Sequence, residues 1–324
     1  MVTVFVTSLS SGAGKTALCA GIGKYLAGGG KKVGYIRPLI AAPPAGADAL
    51  FIKEVLSLQE PLDALCPSFT NENQFNASFR KAFDAVAGGK DVVIIEGANN
   101  PNIARASDAK VVVIATYGEI AEGKVTVAYK LYGPQAIGLV VNKVPVSQLS
   151  RVKSEVTAAC TKANIPILGI LPESRALLTF SIAELAKLID GQVLNNAEKT
   201  GELAGSFMLG AMTVDSGLTY FNLMADKVAV IRSERADMQI AALQTSTRAV
   251  VVSGSTPMIP QVQVAAEDKS IPLITTPLDV VTVASRVEEA VVKTRFHQKS
   301  KLAPLMALLE KEFNFQSFSK AAGL

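Results

Sequence analysis

The 324-residue sequence contains no tryptophan, one histidine and three cysteines. Cys19, Cys66 and Cys160 are far apart and form no CxxC pair, which excludes a zinc knuckle and a disulfide framework. This usage favours free thiols in a reducing cytoplasm. The single His297 stands near lysines in a basic connector, so the sequence indicates neither a Ser/His/Asp arrangement nor a transition-metal centre.

The fraction of charged residues is also low, and long apolar runs are lacking. Charged residues make up 19%, the net charge is +4, and no basic stripe is visible, so nucleic acid is not an expected partner. No apolar run approaches the ~20 residues that cross a bilayer. Residues 1–7 lack the charged region and cleavage site of a signal peptide and are predicted to be a strand. We therefore expect a cytoplasmic protein without a membrane partner.

Apolar, β-branched runs alternate with helical patterns over the first 194 residues. Strands are predicted at 2–7, 32–38, 91–96, 109–116, 136–143 and 165–171, and helices at 16–26, 48–58, 122–132 and 149–163. Continuous apolar strands separated by helices predict an α/β fold, with a parallel sheet sandwiched by helices.

A polar stretch at 195–205 is the predicted linker to a second, smaller α/β domain. Its strands are predicted at 228–231, 249–252 and 272–274, and its helices at 236–244, 258–268 and 280–292. Residues 302–313 form an amphipathic helix, whose apolar stripe packs on a second subunit or on the second domain. The predicted domains are 1–194 and 206–296, followed by a C-terminal helix at 297–324.

The segment 10–16, Ser-Ser-Gly-Ala-Gly-Lys-Thr, lies between the first strand and the first helix, where a phosphate-binding loop is expected. Glycines let successive N–H groups turn inward, and the helix N-terminus attracts an anion. Lys15 would reach the terminal phosphates of a nucleoside triphosphate, which we expect to be ATP. The predicted nucleotide contacts here are Ser11, Gly12, Ala13, Gly14, Lys15, Thr16 and Ala17.

A phosphate loop of this kind implies Mg²⁺, for which we predict Thr16, Glu96 and Asp48 as ligands. Glu96 ends an apolar strand, at the sheet edge where ligands of parallel sheets collect, although it could also face solvent. Asp48 could equally be the N-cap of the following helix.

Two further polar residues stand near the carboxyl ends of predicted strands. Arg37 could hold a substrate anion through its planar guanidinium, or form a plain surface ion pair. Asn142 could bond the edge of a base, or serve a turn. Lys15, Glu96 and Arg37 are the candidate catalytic residues.

These segments resemble known families. Residues 1–194 resemble the dethiobiotin synthetase-like P-loop domain in five segments: 10–17, 34–39, 91–98, 138–144 and 168–175. Residues 206–296 resemble the DRTGG domain at 209–214, 233–237 and 251–254. The pairing is similar to the N-terminal regulatory half of long bacterial phosphate acetyltransferases, without their transacetylase domain.

The resemblance implies a nucleotide and Mg²⁺ site at Lys15, Thr16 and Glu96. It also implies that Asn142, Pro172 and Glu173 lie beside the base, that the protein is a homodimer, and that this chain does not transfer acetyl groups. Some positions depart from the family pattern. Two asparagines at 99–100 replace substrate-site glycines, which argues against dethiobiotin synthesis, and the DRTGG signature is altered at Glu234 and at 253–255.

Three functions follow as hypotheses. The first is a regulatory or sensor protein of acyl-phosphate or related metabolism that binds ATP and hydrolyses it slowly. The second is an ATP-dependent ligase, of the dethiobiotin synthetase or cobyrinic acid amide synthase type, that activates an acid substrate by phosphorylation. The third is a structural partner that no longer binds nucleotide. A small-molecule effector or an acid substrate would be a further ligand.

Overall fold

The computed structural model describes residues 1–40, 46–121, 124–211, 214–293 and 296–324. The chain divides into two compact units: residues 1–174 together with 301–324, and residues 175–300. Among the described helices, none is long and apolar enough to cross a membrane.

The first unit contains a six-stranded parallel sheet in the order β2-β5-β1-β6-β7-β8. Its strands are β1 (Val2–Ser8), β2 (Val33–Ile36), β5 (Val92–Ala98), β6 (Lys110–Thr116), β7 (Ala136–Val144) and β8 (Ile167–Pro172). A separate parallel pair is formed by β3 (Leu39–Ile40) and β4 (Ser68–Phe69).

The helices of the first unit come from both ends of the chain. They are α1 (Lys15–Gly28), α2 (Ala47–Val55), α3 (Leu62–Leu65), α4 (Glu72–Ala87), α5 (Pro101–Ser107), α6 (Tyr117–Ala121), α7 (Lys124–Leu131), α8 (Leu149–Ala163), α14 (Leu302–Glu312) and α15 (Phe315–Ala322). The central strands are continuous runs of buried Val and Ile, as expected for a sheet covered on both faces. The predicted α/β fold is confirmed. The predicted helix 122–132 begins on two residues, 122 and 123, that lie outside the described part of the chain.

The second unit has a five-stranded sheet in the order β10-β11-β12-β13-β9, parallel except for β9. Its elements are α9 (Ile182–Leu188), β9 (Gln192–Val193), β10 (Phe207–Leu209), α10 (Val214–Asn222), β11 (Lys227–Arg232), α11 (Ala236–Leu243), β12 (Thr247–Ser253), α12 (Pro260–Asp268), β13 (Leu273–Thr276) and α13 (Val280–Lys293).

Both faces of this second sheet bury an apolar cluster. Ala229 and Ile231 of β11 face α10, α11 and α12, whereas Val228 and Val230 face α9 and α13. This alternation follows from the two-residue period of a strand. The second, smaller α/β unit is therefore built around its own core.

The domain boundary differs from the one predicted at residue 194. Ile182, Leu185 and Ile189 are buried in the core of the second unit, so that unit begins near residue 175. The predicted linker 195–205 is correspondingly part of it, since Ala204 is buried in the same core and Leu203 bridges to Ser181.

The C-terminal helix is not a separate segment either. Leu305 and Leu309 of α14 are buried, and α14 packs on α1 and β8 of the first unit. Leu309 lies so close to Gly21 that a Cβ there would overlap it. The apolar stripe is thus covered within the first unit, and neither a second subunit nor the second domain is needed to bury it.

Candidate phosphate-binding site

The phosphate loop joins the central strand β1 to α1. Gly14 is the N-cap of α1 and has φ +104°, and Gly12 has φ +75°, both in the region that glycine favours. No side chain caps α1 in place of a ligand. The loop therefore presents the backbone groups of a helix N-terminus at the carboxyl edge of the sheet, where anions bind.

The Lys15 side chain folds back over this loop. Its Nζ donates to Ser8 Oγ at 2.7 Å and to the Ser10 carbonyl oxygen at 3.4 Å. Burial lowers the pKa of Lys15, and the nearby carboxylate of Glu96 opposes that shift. The ammonium is thus held by neutral oxygen atoms beside the loop, from which it can turn to a phosphate oxygen.

Glu96 stands on β5, the strand next to β1. Its side chain is only 1% exposed, so the alternative of a solvent-facing strand end is wrong. Thr16 Oγ1 donates to Glu96 Oε1 at 2.8 Å, and Tyr35 OH donates to Oε2 at 2.8 Å. Burial raises the pKa of Glu96, although Arg37 and these two hydrogen bonds oppose the shift.

Arg37 and Asp48 form a half-buried ion pair beside Glu96. Arg37 Nη1 bonds Asp48 Oδ2 and lies 3.7 Å from Glu96 Oε1, with the Arg37 side chain 20% exposed. A plain surface pair is therefore excluded. Asp48 is not an N-cap either, because α2 begins at Ala47 and its N-cap is Gly46. The two carboxylates raise the pKa of Arg37 despite its burial.

These residues fit a magnesium ion. The Arg37 guanidinium already stands as a cation between two carboxylates, and the Thr16 hydroxyl lies on the same Glu96 oxygen. Mg²⁺ takes one or two carboxylates and fills its remaining positions with phosphate oxygens and water. The described ranges contain no cluster of three or more acidic, histidine or cysteine ligands.

Asn142 packs against the phosphate loop. Its Nδ2 donates to the Ala13 carbonyl oxygen at 2.8 Å, and its Oδ1 accepts from the Lys143 N–H at 2.9 Å. Both ends of the amide therefore contact backbone, and the amide braces the loop from near the end of β7. Each end keeps a further hydrogen-bonding position, so the proposed contact of Asn142 with a base stays a prediction.

Pro172 and Glu173 lie at the carboxyl end of β8. Pro172 pairs with Val144 of β7, and the Glu173 N–H donates to the Val144 carbonyl oxygen at 2.8 Å. They share the sheet edge of the loop but stand at the far strand, three strands from β1. Their proposed place beside the base stays a prediction.

The asparagines that replace family glycines have structural partners. Asn99 Oδ1 accepts from Tyr132 OH at 2.7 Å, and Asn100 caps α5 by accepting from the Asn102 N–H at 2.9 Å. These contacts tie β5 to α5 and α7. These two positions therefore lack the glycine backbone that the family places close to its substrate.

Tyr35 is a site residue that the sequence reasoning missed. It is fully buried and pairs with Ile94, two residues before Glu96. Alternate residues of a strand share a face, so Tyr35 and Arg37 lie on the same side as Glu96. Tyr35 stands two residues before Arg37, which was already a candidate site residue. This alternate spacing is the signal from which the place of Tyr35 at the site could have been predicted.

In the second unit, two pieces of the altered DRTGG signature meet at the carboxyl ends of β11 and β12. Ser233 N donates to the Ser253 carbonyl oxygen at 2.7 Å, and Ser233 Oγ accepts from the Thr256 N–H at 3.1 Å. Gly254 has φ +114°, and a Cβ there would lie 2.7 Å from Ser233 Oγ. The third piece, 209–214, includes residues 212 and 213, which lie outside the described part of the chain.

A strand, a glycine loop with Lys and Thr, and a helix over a parallel sheet define the first unit as a P-loop domain. Family models agree: residues 2–84 match the AAA domain and residues 184–290 match the DRTGG domain. The chain therefore combines a P-loop domain with a DRTGG domain, which confirms the resemblance stated from the sequence.

Curated relatives align with most of this chain. Phosphate acetyltransferase of Haemophilus influenzae is 24% identical over 302 residues, covering 78% of this chain and 42% of the relative. The enzyme of Nitrosomonas europaea is 21% identical over 286 residues, covering 78% and 41%. The chain thus spans about two fifths of the curated relatives it matches.

Solved structures resemble single parts of the chain. The CBS and DRTGG regulatory region of Clostridium perfringens pyrophosphatase, complexed with diadenosine tetraphosphate, is 16% identical with a TM-score of 0.31, covering 47% of this chain and 72% of its own. The MinD cell division protein of Aquifex aeolicus is 18% identical with a TM-score of 0.40, covering 55% and 84%. Both scores are below 0.5, so neither neighbour supports a functional conclusion here.

Proposed function

We propose that the chain is an ATP- and Mg²⁺-binding regulatory or sensor protein of acyl-phosphate or related metabolism, with slow ATPase activity. The observation that carries the proposal is the phosphate loop between β1 and α1, with Lys15, Thr16 and the buried Glu96 around it. The likeness to phosphate acetyltransferases supports the metabolic setting. We place the protein in the cytoplasm, where ATP and Mg²⁺ are available.

Each residue has a distinct task in this proposal. The loop amides and the α1 N-terminus hold the phosphates, and Lys15 leaves Ser8 to pair with a terminal phosphate. Thr16, Glu96 and Asp48 would hold Mg²⁺, which neutralises charge on the transferring phosphoryl group when bound. Tyr35 keeps the Glu96 carboxylate in a fixed orientation by bonding Oε2.

A regulatory role is favoured over synthesis by the substrate side of the site. Asn99 and Asn100 are engaged with Tyr132 and with the start of α5. They brace the domain at positions where the synthetase family presents glycine backbone. A slow ATPase with an occupied phosphate loop suits a switch that reports nucleotide state to a second domain.

Calorimetry with ATP, ADP and GTP, each with and without Mg²⁺, tests the binding step. We expect ATP binding that Mg²⁺ strengthens, and a loss of at least tenfold, about 1.4 kcal/mol, for Lys15→Ala. Lys24→Ala is the matched control, because Lys24 is an exposed lysine on the same helix. Equal affinities for the two variants and the unaltered chain would favour the structural-partner hypothesis instead.

Hydrogen exchange tests the regulatory step. Under the proposal, Mg-ATP changes the exchange of amides in residues 175–300, a unit that the P-loop residues do not belong to. Nucleotide binding that leaves exchange in this unit unaltered would contradict a sensor role while leaving ATP binding intact.

A ligase is the second candidate function, favoured by one observation. Arg37 lies beside Glu96 with its side chain 20% exposed, and its planar fork suits a substrate carboxylate or carbamate. ATP turnover that rises on addition of particular acids or amines would support a ligase. Turnover that stays at the unstimulated rate across the panel would support the sensor.

Homodimer formation is a further part of the proposal, taken from the dimeric relatives of the P-loop domain. Analytical ultracentrifugation with and without Mg-ATP tests it directly. The calorimetric titrations described above also serve to search for a small-molecule effector of the DRTGG domain.

A further inference from the structure

Arg37 occupies the position between the two carboxylates to which the proposed function assigns a metal. It follows β2 directly, and its Nη1 atom bonds Asp48 and lies 3.7 Å from Glu96 Oε1. The side chain is four-fifths buried, so water screens these contacts weakly. The Arg37 guanidinium is therefore already the counter-ion of both carboxylates.

The other groups around Arg37 have hydrogen-bond partners or positions of their own. Glu96 is held from two sides, by Thr16 on Oε1 and by Tyr35 on Oε2. Asp48 stands in the first turn of α2, and Lys15 is bound to Ser8. Arg37 has a long, rotatable side chain, so its guanidinium can exchange the two carboxylates for another anion.

The charges around the site are balanced in this arrangement. Lys15 and Arg37 contribute two positive charges, and Glu96 and Asp48 contribute two negative charges. A divalent cation entering alone would have to displace the guanidinium, which would then lie partly buried beside the ion with no anion to pair with. A polyphosphate bound at the loop would supply that anion.

We propose that Arg37 is a resident counter-cation that couples metal binding to nucleotide binding. Without nucleotide, its guanidinium pairs with Asp48 and Glu96 and competes with a divalent cation for them. With a nucleoside polyphosphate on the loop, the guanidinium transfers to a phosphate oxygen and leaves the carboxylates to the metal. The inference rests on the proposed function, because it takes the phosphate loop and these carboxylates as one site.

Two expectations of opposite sign follow. Loss of the Arg37 charge strengthens divalent-metal binding in the absence of nucleotide, because the competing cation is gone. The same change weakens nucleotide binding, because the phosphate loses a partner. Coupling between two ligands commonly amounts to a 5- to 150-fold change in affinity, and we expect about tenfold here.

Titration with Mn²⁺, followed by the electron paramagnetic resonance signal of the free ion, measures metal affinity directly. It is done on the full chain with and without ADP, for the unaltered protein, Arg37→Gln and Arg37→Lys. We expect Arg37→Gln to bind Mn²⁺ alone about tenfold more tightly than the unaltered chain, and ADP to improve that affinity much less. Arg37→Lys keeps a charge without the fork and should give an intermediate gain.

Arg80→Gln is the matched control, because Arg80 pairs with Asp84 on the exposed face of α4. Its Mn²⁺ affinity should equal that of the unaltered chain. If Arg37→Gln proves too unstable for titration, the Mn²⁺-dependent rise of its melting temperature replaces the affinity, and it should exceed the rise of the unaltered chain.

Unchanged or weaker Mn²⁺ binding by both Arg37 variants would overturn the inference. That outcome differs from failure of the proposed function, which would appear as no Mg-ATP binding by the unaltered chain in calorimetry. If the unaltered chain binds Mg-ATP while Arg37→Gln shows no gain for Mn²⁺, Arg37 is a substrate or structural residue and the P-loop assignment stands.

Discussion

Gly14→Ala tests whether the phosphate loop is held in the conformation described, because two separate costs meet at this position. Gly14 has φ +104°, which a residue with a Cβ adopts at a cost of about 1–3 kcal/mol. The new Cβ would also overlap Asn142 Nδ2 and break its hydrogen bond to Ala13, which contributes about 0.5–1.5 kcal/mol. We therefore expect the first unit to lose about 1.5–4.5 kcal/mol of unfolding free energy, as the sum of these two costs.

The two costs can be separated by a double-mutant cycle with Asn142→Ala. In that background the amide is gone, so Gly14→Ala pays only the backbone cost, and the coupling should be roughly 0.5–1.5 kcal/mol. Gly12→Ala is the matched control: Gly12 has φ +75°, but a Cβ there meets nothing within 4 Å. Its effect should therefore be independent of Asn142.

Urea unfolding followed by far-ultraviolet circular dichroism gives the free energies, since the chain has no tryptophan for fluorescence. Hydrogen exchange of α1 amides assigns the affected transition to the first unit. Additivity of Gly14→Ala and Asn142→Ala to within about 0.3 kcal/mol would refute the contact between loop and amide.

Three other predictions concern packing and pH. Leu309→Ala should destabilise the first unit by about 2–5 kcal/mol, because the side chain is fully buried, whereas Leu50→Ala, 46% exposed in the original protein, should cost far less in the same urea titration. Ser181→Ala should cost the second unit about 1 kcal/mol, because it removes the capping box with Glu184 at the start of α9; unaltered exchange of α9 amides would contradict this. Burial alone would raise the pKa of Glu184, but hydrogen bonds from Ser181, Gln298 and His297 lower it overall. The stabilisation from Glu184 is therefore complete at and above its ordinary pKa, is lost as the pH falls through the lowered value, and should be absent from the pH dependence of Glu184→Gln.

Regular periodicity made much of the fold predictable from sequence. The apolar runs that became β1, β5, β6 and β7 differ from their predicted bounds by no more than two residues at either end. Several helices were missed, and two of these, α4 and α9, have clear signals in the sequence. In α4, Phe75, Phe79 and Phe83 recur every four residues on one buried face, and α9 begins with a capping box. Shorter elements such as β3, β4 and β9 have two residues each and no periodicity to detect.

The site was predictable where a backbone motif dictates it, and less so where partners come from distant segments. Lys15, Thr16 and Glu96 follow from the loop and from the end of a buried strand. The pairing of Arg37 with Asp48, and the use of Asn142 as a brace, depend on which neighbour each side chain meets after folding. A polar residue at a strand end is predicted to lie near the site. Its residue type alone does not show whether its side chain bonds a ligand or another part of the protein.

The discontinuous first unit has a consequence for synthesis. Phe313 bridges to Gly169, and the Asn314 N–H donates to the Leu168 carbonyl oxygen, so residues beyond 300 cover the edge of β8. As the chain leaves the ribosome, all of residues 175–300 emerge before residues 301–324, which pack on β8. The DRTGG unit can thus finish folding while the P-loop unit still has a bare edge strand, which reverses the usual order in which the earlier-made domain matures first. Nascent chains halted before residue 301 would then contain a mature second unit and a P-loop unit whose β8 edge is open to aberrant strand pairing.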